Sequence, residues 1–200
     1  MSVRCTRFIP FSIRSLGTDE PYALAVWSCT VSGRGRRSGD GFLRCSDGHV
    51  RWGVFGAAGV LFVWRPEGEP AQVMLQMRSA WAHEGGTWSV AGGAIDEGES
   101  PLEAALREAS EEVGELPDEL RLVGQHVFAP ADDWQYTTAV VEVDEHFGMS
   151  VNFETDAVVW IPCDLVDHRP LHPGFAAAWP HLRAIVEGEA EGGVERDADR

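Results

Sequence analysis

The stretch from Ser100 to Gly114 restricts this 200-residue chain more than any other. Ser100 is a good N-cap, Pro101 suits the first helical position, and Glu103 completes a capping box. Leu102, Ala105, Leu106, Ala109 and Val113 recur at helical spacing. Gly114 is placed to end the helix in a left-handed conformation. A helix is therefore expected over about 100–113. On it Glu108, Glu111 and Glu112 stand at i, i+3 and i+4, so their carboxylates share one face, expected opposite the apolar stripe. Three neighbouring carboxylates repel one another and weaken a helix. Taken alone, Glu-x-x-Glu-Glu reads as a solvated acidic face; a hard divalent cation would turn the same cluster into a favourable one. Oxygen donors suit Mg²⁺ or Mn²⁺ better than zinc. Mg²⁺ commonly binds through a few carboxylates plus substrate phosphates, so a phosphate ester or anhydride is the natural substrate.

The charge balance agrees with a small ligand rather than a polymer. Asp and Glu number 32 against 16 basic residues, a net charge of −16. Such a chain repels nucleic-acid backbones and anionic membranes, so neither is expected as a partner. Residues 1–53 are nevertheless basic, with eight Arg and four acids, while Asp96–Glu119 holds ten acids and one base, Arg107. Every basic residue is Arg, which excludes lysine chemistry such as a Schiff base or a Walker A phosphate loop. No two of the four Cys have C-x-x-C spacing, and Cys45-Ser-Asp-Gly-His49 reads as a loop rather than half of a zinc knuckle. Met1–Gly17 has no long apolar run before a cleavage site, and Val54–Trp64 is too short to span a bilayer. Reduced thiols in a cytoplasmic protein are expected.

Three segments follow from composition: a basic N-terminal extension over 1–53 with a Gly/Arg/Ser loop at 32–41, a main domain over 54–187, and an acidic disordered tail over 188–200. In the first, Phe8–Ile13 and Ala23–Val31 are candidate strands. In the second, Val54–Trp64 reads as a buried strand, Gln72–Arg78 as a half-buried one, and Thr87–Val90 as a short strand running into Gly92-Gly93. Leu120–Phe128, Gln135–Val143 and Ala157–Ile161 are further strands, the second rich in Tyr, Thr and Val. A second amphipathic helix is expected over about 173–186, with Pro180 as a possible kink.

The spacing around the first helix is more specific than the helix itself. Gly93, Glu99, Arg107, Glu108, Glu111, Glu112 and Gly114 fill all the fixed positions of Gly-x5-Glu-x7-Arg-Glu-U-x-Glu-Glu-x-Gly-U, where U is apolar. From the chain's own frequencies a chance match is on the order of 10⁻⁵. This segment closely resembles the signature of the Nudix hydrolases. The last U position, Glu115, departs from it, with Leu116 one residue late. The resemblance covers about 54–187 and implies an α/β fold, a Nudix-type α/β/α sandwich with a mixed central sheet. It implies an enzyme that hydrolyses a nucleoside diphosphate linked to another moiety.

Site roles come from the same resemblance, position by position. Glu108, Glu111 and Glu112 would hold Mg²⁺ or Mn²⁺, helped by the Gly92 carbonyl. Arg107 would pair with Glu99 and fix the helix against the preceding loop. The general base is one of the helix glutamates or a later Glu, with Glu154 the best later candidate. Arg78, Trp81, His83, Trp88, Trp134 and Tyr136 flank the expected mouth; Arg78, Trp88 and Tyr136 are taken as substrate-binding, since aromatic rings stack on bases. A core role is the plainer reading of each Trp. Asp132-Asp133 is either a loop cap or a substrate contact. Pro130, 15 residues past the motif, resembles the ADP-ribose pyrophosphatase subgroup, so a nucleotide-sugar or ADP-ribose substrate is favoured. A sanitising hydrolase of oxidised nucleoside triphosphates and a nucleotide-sensing module without catalysis are the alternatives. The resemblance also allows a homodimer, with residues 1–53 available as an interface.

Overall fold

The computed structural model describes residues 36–80, 84–148 and 155–189, and the backbone of 12–15 and 194–195. Strand β1 is Ser12–Ser15, β2 Phe42–Arg44, β3 Val50–Trp52, β4 Ala57–Trp64, β5 Gln72–Arg78, β6 Trp88–Ser89 and β7 Ala91–Ala94. Helix α1, Pro101–Val113, follows. Then come β8 Glu119–Ala131, β9 Trp134–Val143, β10 Thr155–Pro162, a 3₁₀ segment Cys163–His168, helix α2 Pro173–Val186 and β11 Val194–Glu195. The spans expected for β5, α1 and α2 agree with these bounds. Of the two N-terminal strand candidates, Ala23–Val31 lies outside the described residues, and the other overlaps β1 at Ser12–Ile13.

The main sheet runs β1-β8-β9-β4-β5-β10 and is mixed: β4 is parallel to β9 and antiparallel to β5. Strand β4 is buried along its length because it is covered on both faces. Ala58, Val60 and Phe62 face one core with α1, while Leu61 and Val63 face a second core with α2. Helices on both faces of a mixed sheet make the α/β/α sandwich that the sequence led us to expect. The sheet forks along β4: Ala57–Val60 pair with β7, whereas only Val63 and Trp64 pair with β5. Strand β7 leads from this fork into α1.

Helix α1 starts as its sequence dictates. The Ser100 side chain accepts from the Glu103 N–H, and the Glu103 carboxylate accepts from the Ser100 N–H. That bond holds the Glu103 carboxyl below its usual range. Gly114, at φ 90°, closes the helix. Helix α2 opens on Pro173, with His172 accepting the Gly174 N–H, and continues past Pro180 to Val186. No helix among the described residues is long and apolar enough to cross a membrane.

Two features were not anticipated. Strands β2 and β3 form a separate antiparallel hairpin, and Cys45–His49 is its turn. Within the stretch expected to be a disordered tail, Val194–Glu195 pairs in parallel with Val127 and Phe128 of β8. The two-residue length of β11 explains why no periodicity betrayed it.

Candidate active site

The site grows from short side chains. Ala104, Ala105 and Ala109 of α1 are buried against β4 and β7, where Gly59, Gly92 and Gly93 lie. With only methyls and hydrogens between them, helix and strands approach closely. A Cβ on Gly92 would overlap the Ala58 carbonyl, and one on Gly93 would overlap the Glu108 carboxyl group. The glutamates therefore do not all stand opposite the apolar stripe: Glu111 is on the outer side with its side chain 61% exposed, whereas Glu108 is half-buried and Glu112, 8% exposed, belongs to the buried face. The reason is the alanine and glycine lining, which leaves room under the helix for a carboxylate.

Arg107 organises the outer part of this face. Its Nε and Nη2 donate to the two oxygens of Glu99 at 3.0 and 2.9 Å. Nη2 also donates to the Ala94 carbonyl at 2.9 Å, and Nη1 to Glu108 at 2.6 Å. Glu111 lies 3.7 Å away and is mostly exposed. A bidentate guanidinium–carboxylate pair fixes direction as well as distance. It ties helix α1 to Ala94, the end of β7, and to the loop that carries Glu99. Glu99 is 5% exposed at its side chain, so this is not a solvent-washed surface pair.

Glu112 sits deeper. Its Oε2 accepts from the Gly92 N–H at 2.9 Å and from Gln76 Nε2 at 2.8 Å. The Thr155 hydroxyl meets Gln76 Oε1 at 3.2 Å, which orients the amide toward Glu112. Gln76 and Thr155, from β5 and β10, were absent from the sequence reading. The one signal for Gln76 was a polar residue following the apolar run Val73–Leu75, and Thr155, at the start of β10, gave none. Burial pushes the Glu108 carboxyl above its usual range, Arg107 opposes this, and Glu111 and Asp40 add to it.

Among the described residues, no group of three or more Asp, Glu, His or Cys side chains stands ready to hold a metal. Glu108 is turned to Arg107, and Glu112 to Gly92 and Gln76. The residues still fit a hard cation. The donors are all oxygen, and Glu108, Glu111, Glu112 and Asp40 outnumber the one guanidinium bonded among them. The Glu108 carboxyl lies over Gly93, where a Cβ would intrude. Mg²⁺ also keeps waters and takes ligands from phosphates, so a complete cage of side chains is not its usual setting.

The other expected residues divide. The Tyr136 hydroxyl lies over Gly59 beside β7, in the space that a Cβ would fill. Burial pushes its pKa up, the negative Glu112 adds to that, and Arg78 opposes it, so all three share one region. Trp88 is 7% exposed and belongs to the α2-side core, with the Arg169 guanidinium 5.2 Å over its ring. Its ring surface is therefore spent on packing, the plainer role for a Trp. Trp134 donates to the Trp52 carbonyl at 3.0 Å, and Asp133 accepts the Ser46 N–H at 2.9 Å, so both hold the β2–β3 hairpin. Glu154, Trp81 and His83 lie outside the described residues.

This fold and this helix define the class. The NUDIX domain model matches residues 55–182, and the chain belongs to that family. A Mycobacterium tuberculosis protein carrying the provisional name 8-oxo-dGTP diphosphatase 3 is 43% identical over 154 residues, covering 74% of this chain and 70% of its own. A Bifidobacterium longum nucleoside triphosphate pyrophosphatase/Nudix hydrolase fusion protein is 38% identical over 156 residues; the match covers 74% of this chain and 32% of that longer one. The crystal structure of the Mycobacterium smegmatis Nudix hydrolase RenU superposes with a TM-score of 0.69 at 35% identity, covering 76% of this chain and 98% of that one. The protein is thus a Nudix hydrolase, an enzyme acting on phosphoric anhydrides.

Proposed function

We propose that this enzyme hydrolyses the anhydride of a nucleoside triphosphate, an oxidised purine nucleotide being the leading candidate, with Mg²⁺ or Mn²⁺ held by Glu108, Glu111 and Glu112. The observation that carries the reading is the glutamate face of α1, clamped by Arg107 and seated on Gly92 and Gly93. The substrate choice is supported by the provisional name of the 43% identical relative. The expectation of a nucleotide sugar or ADP-ribose rests on Pro130 alone and becomes the second reading.

When bound, the cation would neutralise the diphosphate and lower the pKa of a water. The chain's own residues do the rest. The Gly92 N–H and Gln76 hold the Glu112 carboxylate beside β7, where a cation would compete with them for its oxygens. Arg107 holds Glu99 and Glu108 at fixed positions, as phosphoryl transfer depends mainly on placement. Tyr136 stays protonated because burial and Glu112 oppose its ionisation, and a neutral hydroxyl beside the site repels no phosphate. Glu154 and the helix glutamates remain the candidates for the base, and Gly92 for a carbonyl ligand.

A screen of nucleotides with Mg²⁺ and product analysis tests this. Cleavage of a triphosphate to monophosphate and pyrophosphate supports the first reading. AMP with ribose phosphate from ADP-ribose supports the second. No anhydride turnover with either class overturns both.

A further inference from the structure

The matched family model begins at residue 55, yet Arg37 and Gly39, before it, lie against the loop that carries Glu99. The Gly39 N–H donates to the Asp96 carboxylate at 2.8 Å. The Arg37 carbonyl accepts the Glu97 N–H at 3.1 Å. Val54 N–H returns to the Gly39 carbonyl at 2.9 Å, and Gly53 N–H to the Gly41 carbonyl at 2.8 Å, so the segment is closed on itself like a buckle. The Arg37 guanidinium lies 4.8 Å over the Phe55 ring.

The contact needs glycine. Gly39 is buried, and a Cβ there would overlap the Ile95 carbonyl, which is backbone and cannot swing away. Asp96 in turn is a node of the loop. Its N–H donates to Glu99 Oε2 at 3.1 Å, and its carbonyl accepts the Glu99 N–H at 3.0 Å. Glu99 is the acid that Arg107 grips with two bonds. A continuous set of hydrogen bonds therefore runs from the N-terminal segment through Asp96 and Glu99 to Arg107 and Glu108.

We infer that residues 36–54 are a strap that positions the catalytic loop, with Gly39 and Asp96 as positioning residues acting through Glu99. The inference rests on the hydrolytic reading of the α1 face for its kinetic consequence. Its structural half, that the strap orders residues 95–100, stands apart from any substrate. Residues 36–54 are thus part of the working enzyme although they precede the matched family model.

Hydrogen exchange and kinetics on the full chain test it. Gly39→Ala should speed amide exchange in residues 36–41 and also in 95–100, while β4 and β9 keep their protection. With the best nucleotide of the screen, kcat should fall by about 10- to 100-fold with KM little changed, since misplacement of a reacting group acts on the rate. Asp96→Ala should do the same, and Asp96→Asn, which keeps an acceptor oxygen for the Gly39 N–H, should restore most of it. In a Glu99→Gln background Asp96→Ala should add little, because both changes act through one loop. Unchanged exchange in 95–100 when the strap is freed, or unchanged kcat, overturns the inference. If the wild type turns over no anhydride, the functional reading fails instead, and the exchange experiment alone decides whether the strap orders the loop.

Discussion

Replacing Arg107 by Met removes four hydrogen bonds while keeping most of the side-chain stem. Two of them end on Glu99, whose side chain is 5% exposed. The others end on Glu108 and on the Ala94 carbonyl. Breaking a fully buried ion pair by deleting one partner costs about 3–5 kcal/mol, because the other charge stays behind without its counterpart. The Arg107 side chain is 31% exposed, so water reaches part of the vacated site. Screening at that edge brings the expectation down to roughly 2–3 kcal/mol. For a chain of this size that is a fall in Tm of roughly 5–10 °C. Thermal unfolding followed by circular dichroism at neutral pH, without nucleotide, reads it. The loss should persist at high salt, where solvent-exposed pairs are screened. Glu99→Gln combined with Arg107→Met should cost less than the two single changes together, by at least about 1 kcal/mol. A Tm shift within about 1 °C, with additive single effects, would show that Arg107 makes only a surface pair and that the clamp does not hold the loop to α1.

Further expectations concern single groups. Gly93→Ala places a methyl where the Glu108 carboxyl lies, so kcat should drop by about 100-fold with modest loss of stability; normal turnover would refute the close seating of Glu108 on β7. Glu108 is held above its ordinary value of 4.5 mainly by burial, so the folded state binds its proton more tightly than the unfolded chain. Stability from this group is therefore present at acid pH and is lost as pH rises through the raised value. Glu108→Gln should consequently raise Tm of the metal-free protein at neutral pH and not at acid pH; a gain of equal size at both would contradict the assignment. Burial pushes the Cys163 thiol up to about 11, so iodoacetamide at pH 8 should label it slowly in the native protein and quickly after denaturation, as mass spectrometry of the Cys163 peptide would report.

The parts of the fold legible in the sequence were those governed by local rules. Ser100, Pro101, Glu103 and Gly114 are helix punctuation, and α1 begins and ends beside them. The bounds of β5 were legible, although Val73–Gln76 are all buried, with cores on both faces, rather than half-buried, and an unbroken apolar run marked β4 as covered on two faces. Partners distant in the chain were not legible. The β2–β3 hairpin has the exposed residues Phe42, Val50 and Trp52 and lacks a buried face of its own, so it left no periodic signal. Its place is set by Asp133 and Trp134, more than 80 residues away.

The site shows the same division. Its motif residues were recognisable because their spacing is fixed along one helix and one loop. Gln76 and Thr155 come from two other strands and meet Glu112 only through the pairing of β5 with β10. The expectation that the carboxylates stand opposite the apolar stripe holds for the exposed Glu111 and fails for Glu108, whose carboxyl lies over Gly93, and for Glu112, which is buried on the Gly92 N–H. The acidity noted at the outset thus divides into a solvated surface and a few carboxylates at the site.

Glu112→Gln is the most direct test of that site. The substitution can keep an acceptor oxygen for the Gly92 N–H and Gln76, while removing the charge and turning the second oxygen into an amide donor. In the wild type, hydrolysis of the best nucleotide should need Mg²⁺ or Mn²⁺ and stop on chelation. In the variant kcat should fall by about 100-fold or more, with Tm held or raised, since a buried carboxylate has been replaced by a neutral amide. Equal rates for variant and wild type, or turnover indifferent to chelation, would contradict the account.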